Sequence, residues 1–258
     1  MNRSALLARR IVQLLVGLVA YGIAISLMVR GALGVPPWDV LTQGLALQTG
    51  LPFGVLTNII GALVLLLWIP IRQKPGIGTI ANVLLIGPSI ELGLAVLPVP
   101  TQLWQQVLFF VGGLTLLSVA SGLYIGARFG PGPRDGLMTG IHNRWGFKIW
   151  WVRSAIEITV LSVGWLLGGN VGLGTLAFAL LVGPMVGLTL PRLRVPEPGR
   201  AAEPVVDEPG RVAEPPVGEP GRAADGAASE QELSDERGVV ASAPPVSAAA
   251  LSEPAATP

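Results

Sequence analysis

The chain has 258 residues, 51% of them hydrophobic and only 13% charged, with a mean hydropathy of +0.62. A soluble domain carries roughly 25% charged residues, so this composition excludes an ordinary soluble fold and places the chain in a membrane. It has no cysteine and a single histidine, His142, which excludes disulfides, thiolate metal sites, cysteine nucleophiles and a His-rich metal cluster.

The net charge of +1 hides a split: residues 1–194 carry thirteen Lys/Arg and four acids, whereas residues 195–258 carry four Arg and twelve acids. Arg3, Arg9 and Arg10 precede an apolar run from Ile11 to Val29. That run is too long for the apolar region of a signal peptide and has no clean small-x-small cleavage site after it, so it reads as a first span. Further stretches of spanning length are Phe53–Ile71, Ile77–Leu97, Leu103–Ile125, Ile149–Leu167 and Val171–Leu190. With the N-terminus inside, the basic residues of the loops, Arg72, Lys74, Arg128, Arg134, Arg144, Lys148, Arg192 and Arg194, fall on the cytoplasmic side, and Arg30 is the exception. Both ends are therefore expected in the cytoplasm of a plasma-membrane protein.

Between the first and second spans lies Gly34-Val-Pro-Pro-Trp-Asp-Val-Leu-Thr-Gln-Gly-Leu-Ala-Leu-Gln-Thr-Gly50, echoed 96 residues later as Gly130-Pro-Gly-Pro-Arg-Asp-Gly-Leu-Met-Thr-Gly-Ile-His-Asn-Arg-Trp-Gly146. The register continues without a gap: Gly76-Ile-Gly-Thr79 falls on Gly172-Leu-Gly-Thr175, and Leu84-Leu-Ile-Gly-Pro88 on Leu180-Leu-Val-Gly-Pro184. A whole three-span unit is duplicated. Three is odd, so the copies must enter the membrane in opposite senses. The expected fold is an all-α membrane protein of six transmembrane helices in two inverted three-helix repeats, each with a short Gly-Pro-initiated helix between its first and second spans. The membrane domain covers residues 1–194, with repeat one at about 11–98 and repeat two at about 103–193.

Residues 195–258 repeat Glu-Pro-Gly-Arg among Ala, Pro, Val and acids, and have too few large apolar side chains to offset chain entropy. They are expected to form a disordered Pro/Ala/Glu-rich cytoplasmic tail.

The repeated motif has a local logic. Pro37 and Pro133 suit the first helical position, Asp39 and Asp135 sit where the helix dipole favours an anion, and Gly50 and Gly146 suit the C-terminal cap. Two capped short helices satisfy the pattern, and so do two half-helices lining a pore or cavity. Gly34, Pro37, Gly130 and Pro133 mark the motif in either case.

The membrane domain has only four acids: Asp39, Glu91, Asp135 and Glu157. Glu91 follows Gly87-Pro88, where a kink is expected. Glu157 lies near the middle of the fifth span, four residues after Arg153 and on the same helical face. A carboxylate at the bilayer centre costs at least ~2.5 kcal/mol on insertion scales, so each needs a partner or a proton. Glu157, Arg153, Glu91, Asp39 and Asp135 are the candidate substrate or proton site, with a buried Arg153–Glu157 structural pair as the competing reading. Trp68, Trp104, Trp150 and Trp151 suit an interfacial aromatic belt. Nucleotide loops, metal-ligand spacings and nucleophile motifs are absent, so neither enzymatic activity nor a cofactor or metal is expected.

Arg9-Arg-Ile-Val-Gln13, Gly34-Val-Pro-Pro-Trp-Asp-Val-Leu41, Gly122-Leu-Tyr-Ile-Gly-Ala127 and Gly130-Pro-Gly-Pro-Arg-Asp-Gly-Leu-Met-Thr-Gly140 resemble the YczE-like bacterial integral membrane proteins, related to the YitT group. The resemblance spans about residues 5–192 and leaves the tail outside it. It implies a multi-pass inner-membrane protein and supplies no substrate or catalytic residue. The function expected is that of a permease or secondary transporter of an unidentified small solute. The alternative is a non-transporting accessory or scaffold protein with a cytoplasmic interaction tail. The partners expected are the lipid bilayer and a small-molecule solute, not nucleic acid; homo-oligomerisation and the partner of the tail stay open.

Overall fold

The structure is a computed structural model and describes residues 3–195; the expected tail, from residue 196 on, lies outside the described residues. Within the compact unit that holds them, the helices are α1 (Arg3–Gly31), α2 (Pro37–Thr49), α3 (Phe53–Leu66), α4 (Trp68–Ile71), α5 (Ile77–Val96), α6 (Leu103–Gly126), α7 (Pro133–Trp145), α8 (Ile149–Leu166) and α9 (Leu173–Leu193). Among the described residues there is no strand.

Six of these elements are long and apolar enough to cross a membrane: α1, α3 with α4, α5, α6, α8 and α9. Their outer faces expose Leu63, Leu84, Leu108, Leu166, Leu173 and Leu180, each more than half accessible, a surface that hydrocarbon matches and water does not. α5 continues through Pro88, where the sequence suggested a kink.

The duplication extends to backbone detail. Every described residue with a positive φ has a counterpart 96 positions away: Ala32 (54°) with Arg128 (57°), Gly34 (119°) with Gly130 (120°), Gly50 (71°) with Gly146 (73°), and Arg72 (56°) with Gly168 (96°). Such angles are rare for residues with a Cβ, so four matched pairs mark the same chain path taken twice. α2 and α7 both start on a proline and both end on a left-handed glycine cap, with Gly50 N–H donating to Ala46 O at 2.9 Å and Gly146 N–H to His142 O at 2.7 Å.

The copies exchange contacts. Gly78 N–H donates to Phe129 O at 2.9 Å, and its counterpart Gly174 N–H donates to Leu33 O at 2.8 Å. The bend before each short helix is therefore fastened to the N-terminus of the other copy's last helix. Gly34 and Gly130 lie in those bends. A Cβ on Gly34 would come within 2.7 Å of Thr175 N, and one on Gly130 within 2.9 Å of Thr79 Oγ1, so glycine is required there by space as well as by φ.

α1 lies against both α5 and α6. The close approaches Gly17 to Ala120 O and Gly31 to Gln106 O make α1 and α6 antiparallel; Ser26 Oγ donating to Ile90 O and Arg30 to Leu94 O make α1 and α5 parallel. Small residues at these crossings let backbones close in, the usual basis of helix association in lipid. One apolar cluster joins α1, α5, α6 and α9 around Leu18, Ile25, Met28, Ile90 and Leu117, and a second joins α2, α3, α4 and α7 around Trp38, Ile60, Trp68 and Leu137, with Ile156 and Val160 of α8 packed on it. Trp68 is thus not part of an interfacial belt: it is 1% exposed, and its indole N–H donates to Pro133 O at 3.1 Å. Trp104, Trp150 and Trp151 are exposed.

Arg10 and Gln13, within the first stretch that carries the family resemblance, have a fastening role. Arg10 donates to Ala127 O and Arg128 O at 2.9 and 3.0 Å, and Gln13 to Leu123 O and Leu193 O at 3.0 and 2.7 Å. The bonds to Ala127 O, Arg128 O and Leu193 O cover carbonyls at and just past the ends of α6 and α9, whereas Leu123 O also accepts the Ala127 N–H at 3.0 Å.

Candidate functional site

The starts of α2 and α7 converge. Asp39 is 1% exposed, and its Oδ1 lies 3.6 Å from an Arg134 guanidinium nitrogen, an ion pair without hydrogen-bond geometry. Burial raises the affinity of the Asp39 carboxyl for its proton, and the positive charge of Arg134 opposes that shift. The guanidinium carbon of Arg134 also stands 5.1 Å from the centre of the Trp38 ring. Trp38 and Arg134 are counterparts under the 96-residue repeat, so equivalent positions of the two copies touch each other. Two buried polar atoms here, Trp38 Nε1 and Asp39 Oδ1, have no hydrogen-bond partner.

Beside them, Asp135 is exposed within the fold and accepts a hydrogen bond from the Tyr124 hydroxyl at 2.9 Å. Tyr124 meets Tyr21 edge to face, with ring centres 5.9 Å apart. These are the only two tyrosines in the chain. Tyr21 comes from the middle of α1 and Tyr124 from near the end of α6, so the group gathers side chains from both copies.

Two cavities open onto this group. The first, about 70 Å³, is lined by Tyr21, Ile25, Thr57, Asn58, Asn82, Ile86, Tyr124 and the segment 132–135. The second, about 270 Å³, is lined by Tyr21, Leu117, Ser121, Tyr124, Asp135, Arg153, Phe178 and Val182 among others. They are repeat counterparts: Tyr21, Ile25, Thr57, Asn82 and Ile86 of the first map onto Leu117, Ser121, Arg153, Phe178 and Val182 of the second. Tyr21, Tyr124 and Asp135 border both.

The cavities differ because the packing beside them differs. α3 packs along α5, with Gly87 N–H donating to Asn58 Oδ1 at 3.0 Å and Gly54 close against Gly87. Their counterparts α8 and α9 form no comparable interface, and a Cβ on Gly183, the counterpart of Gly87, would meet nothing within 4 Å. The larger cavity occupies that gap.

The sequence-derived candidates divide accordingly. Asp39 and Asp135 stand at the centre, on helices begun by Pro37 and Pro133. Arg153 lines the second cavity, and its Nε donates to Glu157 Oε1 at 2.9 Å, but the side chains are 50% and 26% exposed, so the expected buried pair is instead a partly exposed one. Glu91 lines neither cavity: its Oε1 accepts the Gly54 N–H at 2.6 Å, at the N-terminus of α3, where the helix dipole favours an anion. Tyr21, Tyr124 and Arg134 were not singled out in the sequence as site residues, although two lone tyrosines inside apolar spans were a visible signal. His142 lies apart and pairs through Nδ1 with Phe147 O at 2.7 Å. Among the described residues no group of His, Cys, Asp and Glu could hold a metal ion.

The chain is similar to proteins without an assigned activity. It is 40% identical over 173 residues to an uncharacterized protein of Haemophilus influenzae, covering 67% of this chain and 79% of that one. It is 35% identical over 178 residues to the uncharacterized membrane protein YczE of Bacillus subtilis, covering 68% and 83%, and 26% identical over 180 residues to YyaS of the same organism, covering 68% and 90%. No solved structure matches. The YczE-like resemblance therefore holds, the chain is a membrane protein, and it belongs to the family of unknown function DUF6198, whose family model matches residues 8–191.

Proposed function

We propose that this chain is a plasma-membrane secondary transporter or permease for a small solute, built as an inverted repeat with both ends of its membrane domain in the cytoplasm. The observation that carries the reading is the pair of repeat-related cavities meeting at Asp135, Tyr21 and Tyr124. Two copies of a fold that enter the membrane in opposite senses make two half-paths, one towards each side, and a site where the half-paths join is the arrangement expected of alternating access. The antiparallel contact of α1 with its counterpart α6 supports opposite orientation of the copies, and the loop charges support the cytoplasmic assignment of the ends.

In this reading α2 and α7 are half-helices whose first turns face the solute path, covered by protein where their backbone ends. Asp135, which borders both cavities, is the acid that a solute or a coupling proton would meet first; Asp39 is held by Arg134 of the first lining and Glu157 by Arg153 of the second. Glu91 stays outside the path as the cap of α3.

The purified full chain, reconstituted in vesicles and challenged with panels of labelled solutes with and without a proton gradient, tests the proposal. Saturable flux of at least one solute, reduced by Asp135→Asn, is the expected result. Vesicles that hold folded protein and pass none of the panel would instead favour the accessory or scaffold role.

A further inference from the structure

Three charged side chains line the cavities: Arg134 the first, Arg153 the second and Asp135 both. Arg134 is paired with Asp39 and Arg153 with Glu157. Among the described residues no cationic side chain lies within ion-pairing distance of Asp135, whose side chain accepts a hydrogen bond from a phenol. Asp135 is therefore the acid of this group left without a cationic partner among the described residues, in a location where an unbalanced charge is costly. Asp135 borders both cavities, as do Tyr21 and Tyr124, and the Tyr124 hydroxyl is bonded to it.

A carboxylate sharing a cavity with aromatic rings offers the chemistry that recognises an ammonium group, charge from the one and ring quadrupoles from the others. An anion would meet the Asp135 carboxylate and two guanidiniums already engaged with other acids. A neutral solute would leave Asp135 uncompensated. The second cavity gives such a guest room, and its apolar wall of Leu117, Phe178 and Val182 suits the hydrocarbon part of an alkylammonium. The orphaned Trp38 Nε1 and Asp39 Oδ1, both more than nine-tenths buried, add a donor and an acceptor next to Arg134.

We infer that the junction of the two cavities is a binding site for a small organic ammonium ion, with Asp135 as its countercharge and Tyr21 and Tyr124 as its aromatic wall. This rests on the transporter reading and narrows it to a solute class.

The test uses choline and its uncharged isostere 3,3-dimethyl-1-butanol, with ethylammonium and acetate as a second pair. Each is titrated into the purified full chain in detergent while thermal unfolding and intrinsic tryptophan fluorescence are followed. Expected are saturable shifts with at least one of the two cations and none with acetate or the isostere. In Asp135→Asn the apparent affinity should fall at least tenfold. Tyr21→Leu, which installs the residue found at the repeat counterpart Leu117, should weaken the same cation even if Asp135→Asn proves unstable. Equal responses to choline and its isostere, an unchanged cation response in both variants, or no response to either cation would overturn the site. Flux of a neutral or anionic solute through vesicles that bind no ammonium would remove this inference and leave the transporter standing. Ammonium binding without flux of any solute would do the reverse.

Discussion

Arg134 stands over the ring of Trp38 at 5.1 Å, and the two residues occupy the same position of the duplicated stretch. Counterparts can touch only where the two copies meet face to face, so this contact fixes the junction of α2 and α7. It also shows where the copies have diverged: one presents a ring and the other a cation, and together they make an interaction that neither could make with itself. The adjacent ion pair follows from the same divergence, since the guanidinium that covers Trp38 also reaches Asp39.

Removing Arg134 should therefore destabilise the fold through Asp39. Arg134→Gln leaves a carboxylate that is 1% exposed without a countercharge, and losing one partner of a buried pair costs about 3–5 kcal/mol. The 3.6 Å separation argues for the lower end of that range. Adding Asp39→Asn should restore most of the loss, as read by thermal unfolding in detergent. A double variant no more stable than Arg134→Gln alone would show that the cation acts through Trp38.

The repeat makes a paired prediction. Gly34→Ala and Gly130→Ala should each cost about 2 kcal/mol or more, because a left-handed backbone costs 1–3 kcal/mol for a residue with a Cβ and the other copy leaves no room beside it. Gly50→Ala and Gly146→Ala face open space, so they should cost only about 1 kcal/mol, from conformation alone. Equal losses at all four positions would contradict the exchange of contacts between the copies.

The duplication, the six spans, the two short helices and their caps were legible in the sequence because each leaves a mark on the residues that form it: a register of 96, an apolar run, a proline start, a glycine end. The partner of Glu91 was not legible, since it is a backbone N–H of Gly54 and any residue but proline supplies one. Trp68 was misplaced at an interface because a tryptophan near the end of a span reads the same whether it faces lipid or Pro133 O. The second cavity was hidden for a different reason. It arises from an interface that α8 and α9 do not make, and the Gly183 on its border reads in sequence like the tightly packed Gly87.

The lack of cysteine makes topology directly measurable. Single cysteines at positions 74 and 144 should react with an impermeant thiol reagent from one side of the membrane, and cysteines at 100 and 169 from the other. Labelling of 74 and 144 from opposite sides would end the inverted-repeat proposal.

The residue that follows Arg194 is fastened to the membrane domain. Val195 is 1% exposed, and its N–H donates to Gly126 O at 3.2 Å. Truncation after Val195 should leave thermal stability nearly unchanged, because the composition beyond it offers little to pack. Truncation after Arg194 should cost about 1.5–2 kcal/mol, the value of burying a valine. If both truncations were equally harmless, the anchoring of Val195 would be unimportant; if both were severe, the tail would be contributing to the fold.

Glu157 separates structure from transport. Its ion pair with Arg153 has good geometry at 2.9 Å, but with the side chains 50% and 26% exposed much of its attraction is screened wherever water fills the second cavity. An exposed i,i+4 pair is worth about 0.3–0.5 kcal/mol, so Glu157→Gln should lower the unfolding temperature only slightly, and the double change with Arg153→Gln should regain little. A large loss in the single variant, recovered in the double, would instead place the pair in a dry, lipid-like setting. Transport should respond differently. If Glu157 takes up a proton as the cavity changes its exposure, the amide keeps the shape and loses the charge, so solute flux driven by a proton gradient should disappear while exchange without a gradient persists. Gradient-driven flux at the native rate in a well-folded Glu157→Gln protein would remove Glu157 from coupling and leave Asp39 and Asp135 as the acids to test.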